Sequence, residues 1–399
     1  MIKLWKNISR VLIGSVTVSL TVSGLATDLH SEDRYEEDLI QTIDELSQQG
    51  LDPALKRIEK LVEKNPNFKL AQLIYADLLM AKTQPLNEFG AHPRASKKQV
   101  DGFRDEARQR LSHFSMPPNL NAVPASIVKL SDKTKHVIVV ELDRSRLYVF
   151  KNQQGTPKLI KDFYVSIGKK GADKLVEGDK KTPIGVYQVT KFIPDKKLPD
   201  FYGTGAFPIN YPNPWDYRLG KTGHGIWLHG TPIDTYSRPP LASDGCVAIS
   251  NKNFTRLRSF VDVGNSPIII TRNINWLEHS DWLAQQTQLE SLVHDWRQDW
   301  ESLDSTRYLS HYSETEFRSG KKDFKYWANR KNQVNAGKSY INVTLSDINI
   351  FRYPGVDNML EFYFHQDYRS SNFNKVDNKR LYWQRNQDQQ WRIIYEGPA

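Results

Sequence analysis

Apolar positions set the outline of the chain. In residues 31–81 they recur every three or four residues. Leu39, Ile43 and Leu46 make one stripe, closed by Gly50, and Leu55, Ile58 and Val62 make a second, closed by Asn65-Pro66. Leu70, Leu73, Ile74 and Leu78 make a third. Side chains at this spacing share one helix face, so the segment predicts a run of amphipathic helices. Residues 82–131 read as a linker. Pro85, Pro93, Pro117, Pro118 and Pro124 interrupt it, and only Phe103, Ala107 and Leu111 predict a helix there.

The period then changes. Apolar runs at residues 137–140, 146–150 and 163–167 predict strands, with Asp143-Arg144-Ser145 turning between the first two. Pro183 and Gly185 form a turn ahead of a strand that starts at Val186. Residues 191–220 read as a long loop with Tyr202, Tyr211, Trp215 and Tyr217, which either line a cleft or pack the loop onto the sheet. A short strand at Ile226-Trp227-Leu228, an amphipathic helix at 254–261 and a buried strand at 267–271 complete a mainly-β domain, residues 132–273. A second change follows. Leu292, Val293, Trp296 and Trp300 line one side of a helix, and Tyr308, Tyr312 and Phe317 belong to a second helix and its exit. Strands at 340–351, 359–368, 380–385 and 391–395 come next, the last two joined by a turn at 386–390. Residues 285–397 thus predict helices first and a curved antiparallel sheet after them. The fold class is multidomain α+β.

Composition adds a location. Lys3, Lys6 and Arg10 precede a run of apolar and small residues at 11–22, and Ser23-Gly24-Leu25-Ala26 offers cleavage after Ala26. Residues 1–26 therefore predict a secretory signal peptide, with an uncleaved anchor as the alternative, and an exported, periplasmic protein. The 399 residues carry a net charge of +9 and one cysteine. Basicity suits an anionic polymer or a merely solvated surface. One cysteine makes no internal disulfide and no cysteine-rich metal site, and no nucleic-acid motif accompanies the charge. No metal or cofactor is expected, and no nucleic-acid partner.

That cysteine, Cys246, follows Ser243-Asp244-Gly245 and precedes the apolar Val247-Ala248-Ile249. A thiol needs a base to attack near neutral pH, and His229 stands upstream at the end of a short strand. Gly245 lets backbone approach a carbonyl, so the Gly245 and Cys246 amides are candidate oxyanion donors. His224, between Gly223 and Gly225, competes with His229 as base or substrate ligand. Arg238 meets either a substrate carboxylate or solvent.

These residues resemble the L,D-transpeptidase (YkuD) catalytic domain. Its signature is a His-Gly pair, here His229-Gly230, followed after a loop by Ser/Thr-His-Gly-Cys, here Ser243-Asp244-Gly245-Cys246. Thr182-Pro183-Ile184-Gly185-Val186-Tyr187 is similar to the family's turn ahead of the catalytic strands. Asp244 stands where most members have His, and Ala248 where most have Arg. The chain is thus closer to a divergent branch that includes a cell-shape-determining L,D-carboxypeptidase with an extra C-terminal domain. The tail resembles that domain, the nuclear-transport-factor-2-like (NTF2-like) cone, whose aromatics read as core. The Pro-separated N-terminal helices resemble one tetratricopeptide-like hairpin, either a docking or dimerisation module or a cap on the catalytic domain.

The resemblance implies acyl transfer on peptidoglycan stem peptides. Cys246 would be the nucleophile and His229 the proton donor and acceptor, oriented by the Gly230 carbonyl. The Gly245 and Cys246 amides would hold the oxyanion. Ser243, Asp244, His224, Arg238 and Tyr202 are candidates for substrate binding, and Asp244 either touches His229 or the substrate amine or caps local amides. An amine acceptor makes the protein a transpeptidase, the first reading. Water makes it a carboxypeptidase, which the departures at Asp244 and Ala248 and the C-terminal domain favour. A third reading is a non-catalytic wall-binding module.

Overall fold

The computed structural model describes residues 34–86, 88–90, 96–386 and 388–399. The basic and apolar segment expected as an export signal lies outside them. No helix among the described residues is long and apolar enough to cross a membrane. The chain forms two compact units. One holds the described residues through Pro118, with Ile138–Val149 and Ile160–Asn273; the other holds Asn119–Val137, Phe150–Leu159 and Ile274–Ala399.

In the first unit the three apolar stripes are the helices Arg34–Gln48, Leu51–Lys64 and Lys69–Met80. Leu39, Leu55, Ile58, Leu70 and Ile74 are buried together, as helical spacing requires. The expected linker contains a helix of 19 residues, Lys97–Ser115, which buries Glu106, Arg110 and His113. Proline content suggested a connection there. Instead a charged helix face packs inward, because each charge meets a partner. Arg110 pairs with Glu106 at 2.9 Å and with Glu36 at 2.8 Å. Glu36 also meets Arg146 at 2.6 Å, and Arg146 meets Asp162 at 3.1 Å. Burial pushes the Glu36 carboxyl up, but Arg146 and Arg110 outweigh it and hold the group at about 2.

The large sheet runs in the order Gly185–Gln188, Pro267–Thr271, His136–Glu141, Arg146–Gln153, Thr156–Gly168, Val247–Ile249, Trp227–His229, Gly205–Pro208, Ile193–Pro194. The central strands bury both faces, which is why residues 137–140 and 268–270 are continuous apolar runs. The expected loop at 191–220 is largely structured. Gly205–Pro208 pairs antiparallel with Trp227–His229, and a short helix Pro214–Arg218 begins at an Asn213 capping box with Asp216. Tyr211 and Trp215 are buried, so the packed-loop alternative describes them, whereas Tyr202 lies at the site described below.

In the second unit the helices His279–Glu301, Ser305–Ser310 and Phe324–Ala336 accompany a five-stranded antiparallel sheet. The third helix has no strong apolar stripe, so its sequence does not announce it. The sheet order is Trp391–Pro398, Phe373–Arg385, Met359–Ser370, Ile341–Arg352 and, at the edge, Ile127–Lys129. Trp296, Trp300, Tyr308, Phe362, Phe364 and Trp383 fill the core, as read from the aromatics. The NTF2-like cone thus borrows its edge strand from a segment expected to be linker.

Candidate active site

His229 ends the strand Trp227–His229, which pairs in parallel with Val247–Ile249. Ala248 is opposite His229 and Val247 opposite Leu228. Continuing that register by one residue sets Cys246 opposite Trp227. Residues two apart share a sheet face, so Cys246 and His229 face the same side from neighbouring strands. The imidazole and the thiol are brought to one face by strand pairing, not by proximity in sequence.

The imidazole is oriented. Its Nδ1 lies 2.6 Å from the Gly230 carbonyl oxygen. A carbonyl only accepts, so Nδ1 carries the proton and Nε2 bears the lone pair. Nε2 is buried and has no hydrogen-bond partner among the described residues. Burial pushes the His229 pKa down to about 4, with the Gly230 bond opposing and Arg238 adding to the fall. His229 is therefore a neutral base at pH 7. Tyr202 stands edge-on to it at 5.1 Å and Phe201 lies 5.9 Å away, together walling the ring from water.

The nucleophile turn is pinned at several points. The Ser243 hydroxyl accepts from the Gly245 amide at 3.1 Å and donates to the Cys246 carbonyl at 2.5 Å. The Thr182 hydroxyl accepts from the Gly168 amide and donates to the Gly245 carbonyl at 3.0 Å. A trans peptide points its N–H opposite to its C=O, so the Cys246 amide is aimed away from Thr182. Gly245 has φ 127°, and a Cβ there would come within 2.8 Å of the Lys181 carbonyl oxygen. No other residue fits without movement. The half-buried Cys246 thiol donates to the Gly225 carbonyl at 3.5 Å. Burial pushes its pKa up to about 11, with Asp244 adding to the rise and the Trp227 amide, Lys174 and Arg238 opposing it. The resting pair is thus thiol and imidazole, both neutral.

One side chain with no motif signal ties the site together. Asn251, at the start of the helix Asn251–Arg258, accepts from the Thr204 and Thr231 amides at 3.0 and 3.1 Å and donates to the Thr231 carbonyl at 2.7 Å. It clamps the backbone just after His229-Gly230. A Cβ on Gly230 would meet its Oδ1 at 2.2 Å, which explains the glycine of the His-Gly pair.

The solved structure of Bd1075 from Bdellovibrio bacteriovorus is 30% identical, with 70% of this chain and 98% of that chain covered and a TM-score of 0.61. The model of the L,D-transpeptidase catalytic domain (YkuD) matches residues 135–270. The chain belongs to the L,D-transpeptidase (YkuD) family. Residues 288–397 match the model of the Cds6 C-terminal NTF2-like domain. The helical cell shape determining protein Pgp2 from Campylobacter jejuni is 27% identical, with 69% of this chain and 95% of that chain covered and a TM-score of 0.58. None of the curated proteins compared matches the chain.

Within this family frame several expectations from the signature change. The Gly245 amide is engaged by Ser243, which leaves the Cys246 amide as the candidate oxyanion donor of the pair. Ser243 is buried and shapes the turn rather than a substrate surface. Asp244 points outward and pairs with Lys169 at 3.0 Å, touching neither His229 nor local amides. His224 is exposed and lies 4.0 Å from Glu177. Arg238 stacks over Phe201 at 4.4 Å, and its charge acts on both Cys246 and His229. Ala248, with Arg110 and Arg238, lines a cavity of about 10 Å³. The cations near the cysteine strand therefore come from other elements. No cluster able to hold a metal ion occurs among the described residues.

Proposed function

We propose that the protein is an L,D-carboxypeptidase of peptidoglycan stem tetrapeptides, exported to the cell envelope and acting in cell shape. The observation that carries the acyl-transfer chemistry is the free Nε2 of a neutral, oriented His229 on the Cys246 side of the sheet. As the Cys246 sulfur attacks the carbonyl of the third-position diamino acid, its proton passes to Nε2. The Cys246 amide holds the oxyanion. The C–N bond breaks, Nε2 gives the proton to the leaving D-alanine amine, and a thioester remains. Water then attacks, Nε2 takes its proton, and the thiolate leaves and is reprotonated. The products are tripeptide and D-alanine.

The choice of water rests on likeness. The chain is similar to the cell-shape protein Pgp2 over 95% of that chain, and Asp244 and Ala248 depart from the signature of most transpeptidases. The second reading is a transpeptidase, favoured by the family itself, in which an amine resolves the thioester. The test is incubation with purified disaccharide tetrapeptide and mass spectrometry, with Cys246→Ala as control. Cys246-dependent tripeptide without dimers is expected. Dimers or amine-exchanged products would establish the transpeptidase. No change dependent on Cys246 would overturn both.

A further inference from the structure

The helix Lys97–Ser115 lies far from the signature in sequence, yet one of its carboxylates reaches the loop between His229 and Cys246. Glu106 is buried, and its Oε1 accepts from the Ser237 hydroxyl at 2.6 Å and from Arg110 at 2.9 Å. Ser237 immediately precedes Arg238. The Arg238 carbonyl accepts from the Tyr164 hydroxyl at 3.0 Å and the Ser166 hydroxyl at 2.8 Å. Arg110 lies over the Tyr164 ring at 3.9 Å, so the same helix also braces the residue that holds Arg238. The other N-terminal helices grip the loop upstream. Tyr236 packs on Phe68 at 4.6 Å, its amide donates to the Asn67 carbonyl, and Asn67 donates to the Ile233 carbonyl at 3.1 Å.

With its backbone held this way, the Arg238 guanidinium donates to the Phe201 carbonyl at 3.3 Å and lies over that ring, on the wall of the His229 pocket. A cation there suits the terminal carboxylate of a stem peptide, the group next to the bond being cut.

We propose that Glu106 is a positioning residue: acting through Ser237, it sets Arg238 beside Cys246 to receive the substrate's terminal carboxylate, which makes the N-terminal helices a working part of the substrate site. This rests on the tetrapeptide reading above, so the first readout does not use that substrate. Cys246 is the only thiol, and its alkylation rates by anionic iodoacetate and neutral iodoacetamide are measured on the full-length chain. The Arg238 charge acts on the thiol from the Phe201 wall and favours the anion, so Arg238→Ala lowers the iodoacetate-to-iodoacetamide ratio about threefold. Ser237→Ala, which removes one hydroxyl, and Glu106→Leu reproduce at least half of that drop in the ratio. Glu106→Gln, whose amide oxygen still accepts from Ser237, keeps the wild-type ratio. With disaccharide tetrapeptide, Ser237→Ala raises KM about fivefold and changes kcat less than about twofold. A wild-type ratio in Ser237→Ala or in Arg238→Ala overturns the proposal. A ratio that behaves as expected in a protein without tetrapeptide turnover leaves the positioning role standing and removes the proposed function.

Discussion

His229 in the catalytic sheet and Glu396 in the C-terminal cone are both buried titratable side chains, and they are treated in opposite ways. Glu396 has both oxygens occupied, Oε2 by the Tyr312 hydroxyl at 2.7 Å and Oε1 by Lys379 at 3.2 Å. Burial pushes its pKa up, but Lys379 and Lys331 outweigh it and hold the carboxyl below its usual value. His229 has one nitrogen fixed by Gly230 and the other left empty. Burial with complete partnering holds a fold together; burial with one vacancy leaves an atom free to move a proton.

The sharpest test sets the two against each other. Cys246→Ala lowers tetrapeptide turnover by at least about 10⁴-fold and shifts unfolding stability by less than about 0.5 kcal/mol. Glu396→Ala leaves kcat per folded molecule within about twofold and lowers stability by about 3 kcal/mol, since Lys379 and Tyr312 lose a buried partner. Urea unfolding and steady-state kinetics on both variants check this. Equal destabilisation by the two would break the comparison.

Asn251→Ala comes next. It frees the backbone after His229 and lowers kcat about 100-fold, with KM changed less than about threefold; loss confined to KM would assign Asn251 to substrate instead.

The pH dependence sharpens the contrast further. Nε2 works only unprotonated, and its folded pKa is about 4. The acid limb of kcat/KM should therefore bend near 4, and a bend near 6.5 would mean that water reaches the ring. Glu36 acts on stability in the same range. Its pKa is about 2 folded against an ordinary value of 4.5, so the unfolded chain takes up the proton first. Its contribution is present above about 4.5, declines as pH falls, and is gone below about 2. Glu36→Gln should flatten that part of the acid-unfolding curve.

The smallest effect is expected at Asp244. Its partner Lys169 is exposed, so Asp244→Asn changes kcat/KM less than about twofold. A larger loss would put the carboxylate back in contact with substrate.

The parts of the site legible in the sequence are those whose signal is local. Gly245-Cys246 and His229-Gly230 are adjacent pairs, and the glycines report their own backbone needs. Thr182 was visible as part of a turn, but its hold on Gly245 spans 63 residues. Glu106 reaches Ser237 across 131 residues and looked like one more charge on a linker helix. Asn251 lies five residues after Cys246, with no pattern that marks a clamp. Two groups are engaged by neighbours the signature does not reveal: the Gly245 amide by Ser243, and the Asp244 carboxylate by Lys169.

By itself the sequence determined the apolar stripes of the N-terminal helices, the central strands of the residues 132–273 region, the NTF2-like character of the tail, and a lone cysteine with a His-Gly pair upstream. Period and turn chemistry are properties of a few neighbouring residues, so they survive without a fold. The three-dimensional structure alone decided which histidine nitrogen is free, which amide can hold an oxyanion, that Ile127–Lys129 edges the C-terminal sheet, and that an N-terminal helix braces the Arg238 loop. Each of those depends on strand register or on burial of charge among distant partners, and both exist only once the chain has closed on itself.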